Sequence, residues 1–141
     1  MPKRPTTELS IVIPVYNEAA NIRALFKELN SLQKKLPKQT EVILVDDGSK
    51  DDTVQKIRQT QLKYRKHVIQ LSRNFGHQSA LFAGLQEATG KYVVTMDGDL
   101  QHPPKLIPKM LQQHKHGVNI VLTQRLDTQA TSHFKKRTAS F

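Results

Sequence analysis

The stretch Tyr92-Val93-Val94-Thr95-Met96-Asp97-Gly98-Asp99-Leu100-Gln101-His102-Pro103-Pro104 decides how this chain is read. It opens on an apolar run, passes two carboxylates one residue apart, and closes on a rigid Pro-Pro pair. A short apolar run bounded by polar residues reads as a buried strand. Proline suits the first turn of a helix. In extended backbone, residues i and i+2 point the same way, so Asp97 and Asp99 face one point beyond a strand end. Two like charges held together are costly unless a cation or a proton offsets them. A hard divalent ion with oxygen ligands is the natural offset.

A second acidic segment, Val45-Asp46-Asp47-Gly48-Ser49-Lys50-Asp51-Asp52, also follows an apolar run. Six of the seven aspartates of the chain lie in these two segments, a concentration that solubility alone does not require. Around them the chain alternates between two periodicities. Runs at 9–13 (ended by Pro14), 42–45, 67–71, 91–96 and 118–123 read as strands. Between them, Ile22, Leu25, Phe26, Leu29, Leu32 and Leu36 recur at helical spacing, with Asn17 as the expected N-cap. Ser49 to Asp52 resembles a capping box opening a helix through Val54, Ile57 and Leu62. A third helix is expected over 77–88, with Leu81, Gly84, Leu85 and Ala88 on one face and small residues allowing close approach. A fourth starts at Pro103-Pro104 and stops near Gly117.

Strands separated by helices predict right-handed βαβ units, a mostly parallel sheet and an α/β, Rossmann-like fold. In such sheets ligands bind beyond the carboxyl ends of the strands. The residues there are Pro14 to Glu18, Asp46 to Ser49, Asp97 to Asp99, and Gln124-Arg125. Their convergence on one edge is the argument for a site.

Composition narrows the class. With 141 residues, 37% of them hydrophobic, the chain suits one domain with a modest core. No apolar run approaches the roughly 20 residues needed to cross a bilayer, and Lys3-Arg4-Pro5 lacks a secretory pattern. Cysteine is absent, which excludes a disulfide framework and a thiolate metal site. The net charge of +10 suggests an anionic partner. The basic residues are dispersed, and no nucleic-acid module is legible, so nucleic acid is not the expected partner.

The edge residues suggest specific chemistry. Asp97 and Asp99 are candidate ligands of Mg²⁺ or Mn²⁺, bound by few protein oxygens and completed by phosphate and water. Gln101 adds an amide oxygen. Such an ion would stabilise a diphosphate leaving group, assisted by Arg125, whose guanidinium matches phosphate. Asp47 reads either as a base or ribose contact or as a turn residue. Tyr16 reads as a stacking or a packing residue, Asp51 and Asp52 as helix-start residues. His77, His102, His114 and His116 show no metal or triad pattern. A phosphoacceptor receiver domain would need an Asp after the third strand, where Leu71-Ser72-Arg73 stands. A haloacid-dehalogenase-type phosphatase would place its Asp-x-Asp at the first strand and not at the fourth.

Four segments carry a closer likeness: Ile11-Val12-Ile13-Pro14-Val15-Tyr16-Asn17-Glu18, Val45-Asp46-Asp47-Gly48-Ser49, Arg73-Asn74-Phe75-Gly76 and Asp97-Gly98-Asp99-Leu100-Gln101-His102-Pro103-Pro104. In order and spacing they resemble the family 2 glycosyltransferases of GT-A fold. Within that family they resemble the polyprenyl-phosphate sugar transferases, the group of dolichol-phosphate mannose synthase, bactoprenol glucosyltransferase and undecaprenyl-phosphate aminoarabinose transferase. The likeness runs from Leu9 onward.

The resemblance implies inverting, metal-dependent transfer of a sugar from a UDP-sugar or GDP-sugar to a polyprenyl phosphate at the cytoplasmic membrane face. It implies that Pro14, Tyr16, Glu18, Val45, Asp47, Gly98 and Asp99 line the donor site, and that Asp97, Asp99 and Gln101 hold Mg²⁺ or Mn²⁺. The family often has Ala between the two aspartates, and Gly98 is expected to be tolerated there. Arg125, Lys136, Arg137 and Ser140 are implied in phosphate and acceptor contacts, and an anionic membrane surface is an implied partner. The expected organisation is a flexible start over 1–8, a nucleotide-sugar-binding part over 9–125 and a basic tail over 126–141. Members usually continue well beyond this length, so the chain reads as the N-terminal part of such an enzyme.

Overall fold

The structure is a computed structural model that describes residues 6–124. Four parallel strands form one sheet in the order β3-β2-β1-β4. They are β1 (Leu9–Val15), β2 (Thr40–Asp46), β3 (Arg65–Gln70) and β4 (Tyr92–Thr95). The helices α1 (Ile22–Ser31), α2 (Thr53–Gln59) and α4 (Ile107–His114) supply core residues on one face, and α3 (His77–Glu87) covers the other. The predicted alternation and parallel sheet are therefore present. Every residue of β1 and β2 is buried, as expected where helices cover both faces of a parallel sheet.

The larger core packs Leu9, Ile11, Ile13 and Val15 of β1 against Ile22, Leu25, Phe26 and Leu29 of α1. That helix spacing places one apolar stripe toward the sheet. Each such fully buried side chain contributes roughly 1.5–3 kcal/mol. On the other face, Val12, Ile43 and Val45 meet Ala80 of α3. A Cβ on Gly84 would fall 2.4 Å from Val12 Cγ1 and 2.9 Å from Val45 Cγ2, so α3 sits as close to the sheet as a glycine permits. The buried residues of α3 are Ala80 and Gly84, whereas Leu85 is exposed. Leu81, Gly84 and Ala88 of the expected face pack on this side of the sheet, and of that face Leu85 alone turns outward.

Pro14 does not end β1; the strand runs on to Val15. Asp47 donates its N–H to Val15 O on the β2 side, and Met96 donates to Val12 O on the β4 side. By this register residue 14 faces β4, and the next bond of that ladder would need an N–H that proline lacks. The β1–β4 pairing stops at Val12↔Thr95, and the chain from Met96 onward leaves the sheet. At its other end the ladder begins before β1, because Lys91 and Tyr92 donate to the carbonyls of Thr7 and Glu8.

Three further expectations are corrected. Residues 118–123 form no strand; Ile120 and Leu122 are 77% and 87% exposed. A β-prone run becomes a strand only where a ladder receives it, and among the described residues none pairs with this one. Asn17 is not an N-cap: α1 starts at Ile22, and Asn17 adopts φ 52 in the preceding loop. The capping box at Ser49 is not formed either, since α2 starts at Thr53 and its N-cap residue, Asp52, makes no side-chain cap.

Candidate donor site at the carboxyl edge of the sheet

The loops after β1, β2 and β3 are stitched to one another by backbone donors and side-chain acceptors. Asn17 donates its N–H to Ser49 Oγ at 2.9 Å, and its Oδ1 accepts the Lys50 N–H at 2.9 Å. Glu18 N–H donates to Thr53 Oγ1 at 2.9 Å, and Ala19 N–H to Asp51 Oδ2 at 3.2 Å. Ser49 is thus turned toward the β1 loop and away from α2, while Asp51 serves both, because its Oδ1 accepts the Thr53 N–H at 3.0 Å at the start of α2. Burial works against ionisation of Asp51, but hydrogen bonds from Thr53 and Ala19 outweigh it and hold the carboxyl below its ordinary value.

Asp47 is only 4% exposed. Its carboxylate accepts the N–H groups of Phe75 at 2.8 Å and Gly76 at 3.0 Å, fixing the loop that leads into α3. Gly48 (φ 71) lies against that loop so closely that a Cβ would fall 2.4 Å from the Arg73 carbonyl carbon. A positive φ and this contact both demand glycine there.

Beyond β4 the freed segment places Asp97, Gly98 and Asp99 opposite the stitched loops. Asp99 Oδ1 accepts the Gln101 N–H at 2.9 Å, a local turn that fixes one carboxylate oxygen. A Cβ on Gly98 would fall 2.8 Å from Val15 Cγ1, so an alanine there would press on a buried valine.

Pro14, Tyr16, Glu18, Asp47, Asp97, Gly98 and Asp99 line one cleft of about 530 Å³. Asn74, Gly76 and His77 complete it from the β3 side. Val45 is fully buried beneath α3 and packs in the core. Gln101 is exposed, and its N–H serves Asp99. Arg125, Lys136, Arg137 and Ser140 lie outside the described residues.

Two histidines that showed no partner pattern in sequence flank Asp97. His77 Nε2 is 3.7 Å from Asp97 Oδ1, and His102 Nδ1 is 3.6 Å from Oδ2. The signal for His77 was its place after the third strand, on the same edge as the other loops. Sequence reading also missed Glu41, at the opposite end of the sheet. It is 1% exposed and paired with Arg65. It accepts hydrogen bonds from Ser10 Oγ at 2.6 Å and from Thr89 N–H and Oγ1 at 3.0 and 2.9 Å.

The donor set bears on the kind of ion the edge would take. Among the described residues no three His, Cys, Asp or Glu side chains form a ready-made metal cage. Two carboxylates beside an open cleft fit Mg²⁺ or Mn²⁺, which keep positions for phosphate and water.

The sequence profile of glycosyl transferase family 2 matches residues 10–140. The chain belongs to glycosyl transferase family 2. It is 40% identical over 123 residues to the undecaprenyl-phosphate 4-deoxy-4-formamido-L-arabinose transferase of Pectobacterium atrosepticum, covering 86% of this chain and 38% of that protein. Among solved structures it resembles S. aureus TarS 1-349 in complex with UDP-GlcNAc, with a TM-score of 0.63 and 27% identity over 84% of this chain and 37% of that one. It also resembles glucosyl-3-phosphoglycerate synthase from Mycobacterium tuberculosis in complex with Mn²⁺, UDP and glucosyl-3-phosphoglycerate, with a TM-score of 0.61 and 26% identity over 77% and 39%. The parallel sheet flanked by helices is that of the GT-A fold. The chain spans about two-fifths of the length of these proteins.

Proposed function

We propose that this chain is the donor-binding part of a metal-dependent, inverting glycosyltransferase that moves a sugar from a nucleotide diphosphate to a polyprenyl phosphate. The observation that carries the reading is the single cleft in which Asp97 and Asp99 stand across from Tyr16, Glu18 and Asp47. In this reading the nucleoside lies along the stitched β1 and β2 loops, with Tyr16 beside the base. The diphosphate lies toward Asp97, Gly98 and Asp99. An ion held by Asp97 and Asp99, with Gln101, would neutralise the charge that develops on the departing diphosphate.

The remaining work falls to orientation. Bond formation from an acceptor phosphate oxygen to the sugar, with loss of the diphosphate from the opposite face, inverts the sugar carbon. A phosphate monoester is already largely dianionic near neutral pH, with a second pKa of about 6, so no protein base is needed to activate it. Holding the two partners in line is the main contribution. Arg125, Lys136, Arg137 and Ser140 are proposed to receive the phosphates. The name of the Pectobacterium relative supports a polyprenyl-phosphate acceptor, and the UDP-GlcNAc and Mn²⁺ complexes of the two structural relatives support the donor and metal classes. No described helix is long and apolar enough to cross a membrane. Peripheral contact with the cytoplasmic membrane face, through the basic surface, is part of the proposal.

The test is titration of UDP and GDP with and without Mn²⁺ on the wild type, Asp97→Asn and Asp99→Asn. The reading expects binding that requires the metal and falls at least roughly tenfold in each variant, about 1.4 kcal/mol or more. Binding indifferent to metal and to both substitutions would instead identify a non-catalytic nucleotide-binding or membrane-surface module.

A further inference from the structure

The donor cleft is not alone at this edge. A second cleft of about 270 Å³, walled by Val94, Met96, Pro104, Ile107 and Met110, opens beside it. The two share three residues: Pro14, His77 and Asp97. His77 therefore stands at the boundary between the two clefts.

Its backbone is held on both sides. Asp47 accepts the Gly76 N–H immediately before it. Gly84, two turns along α3, is pressed against Val12 and Val45. The side chain is 54% exposed, and its Nε2 stops 3.7 Å from Asp97 Oδ1. That gap is too long for a direct hydrogen bond, so the imidazole is aimed at the carboxylate without being consumed by it. A polar group on a rigid element, facing a proposed metal ligand across such a gap, is placed to meet a third oxygen.

We propose that His77 is a specificity residue of the donor site, and that its Nε2–H donates to the terminal phosphate of a nucleoside diphosphate. The proposal rests on the donor-site reading above. Adjacent oxygens on one octahedral divalent ion lie roughly 3 Å apart. A phosphate oxygen sharing an ion with Asp97 is therefore within reach of the group that faces Asp97. A nucleoside monophosphate, occupying the nucleoside end of the cleft, has no second phosphate to present to His77. The residue thus separates diphosphates from monophosphates.

The experiment compares UDP with UMP, or GDP with GMP if guanine is the base bound, by calorimetric titration of the full chain in Mn²⁺. Wild type, His77→Ala and His77→Gln are used, each with its thermal midpoint recorded. His77→Ala is expected to weaken the diphosphate roughly ten- to hundred-and-fiftyfold, the range of a hydrogen bond to a charged group. It should leave the monophosphate within about twofold, and His77→Gln, which keeps an N–H donor, should recover part of the loss. Equal losses on both nucleotides would overturn the proposal, because His77 would then act through Asp97 or the fold. Unchanged diphosphate affinity would overturn it as well. If the wild type binds neither nucleotide with Mn²⁺, the donor-site reading fails first and this proposal falls with it.

Discussion

Asp47 accepts the backbone N–H of Phe75 at 2.8 Å across 28 residues of sequence. This bond, with its companion to Gly76, joins the loop after β2 to the loop after β3 and sets one wall of the cleft. The side chain has a structural duty whatever its contact with a nucleotide.

Asp47→Asn is accordingly expected to affect both stability and binding. An asparagine offers one carbonyl oxygen, so one of the two N–H groups would face an amide NH₂ instead of an acceptor. The expected cost is about 1–2 kcal/mol of stability, with weaker nucleotide binding because the cleft wall moves. Denaturant midpoints measured beside nucleotide titrations check it. Weaker binding at unchanged stability would show that the loop does not depend on Asp47.

Gly84→Ala should destabilise the fold although alanine is the better helix former. The propensity gain is about 1 kcal/mol. Against it, the new Cβ meets Val12 Cγ1 at 2.4 Å and Val45 Cγ2 at 2.9 Å, both on fully buried side chains. Overpacking of this kind costs typically 1–3 kcal/mol, so a net loss of about 1 kcal/mol is expected, and a larger one for Gly84→Val. Urea unfolding of the two variants measures it, and a stabilised Gly84→Ala would contradict the packing described.

Glu41 gives the chain an acid-sensitive element. Burial alone would raise its pKa, but hydrogen bonds from Ser10, Arg65 and Thr89 outweigh burial and lower it from 4.5 to about 2. A depressed carboxyl pKa stabilises the fold above the unfolded value and loses that contribution as pH falls toward the folded value. The contribution is on the order of 3 kcal/mol. Stability should therefore fall between about pH 4.5 and pH 2, and Glu41→Gln should be less stable at neutral pH with a flatter profile through that window. Denaturant midpoints across the range provide the measurement.

The architecture was legible because local signals sufficed for it. Residues 9–13, interrupted only by Ser10, and 42–45 are apolar runs, as expected of strands buried on both faces, and Ile22, Leu25, Phe26 and Leu29 mark the helix between them. Most of the donor cleft was legible for a related reason, since a parallel α/β sheet sends every strand-end loop to one edge. What escaped depended on distant partners. The length of β1 depends on which neighbour Pro14 faces, and Asn17 and Ser49 gave up capping for each other across 32 residues. His77 meets Asp97 only after α3 has folded onto the sheet. Residues 118–123 carry a strand-like composition, but a strand is a pairing and not a composition.

Pro14 makes one strand serve two trades. Below it, β1 is zipped on both flanks and acts as the girder of the domain. At Pro14 the zipper on the β4 side lacks a tooth, and the sheet forks. The fork needs no inserted residue; it follows from one missing hydrogen on one of the two inner strands. The mouth of the cleft is therefore hung from a fully buried strand that is paired on both sides up to Val12, and it opens where an imino acid interrupts one of those pairings.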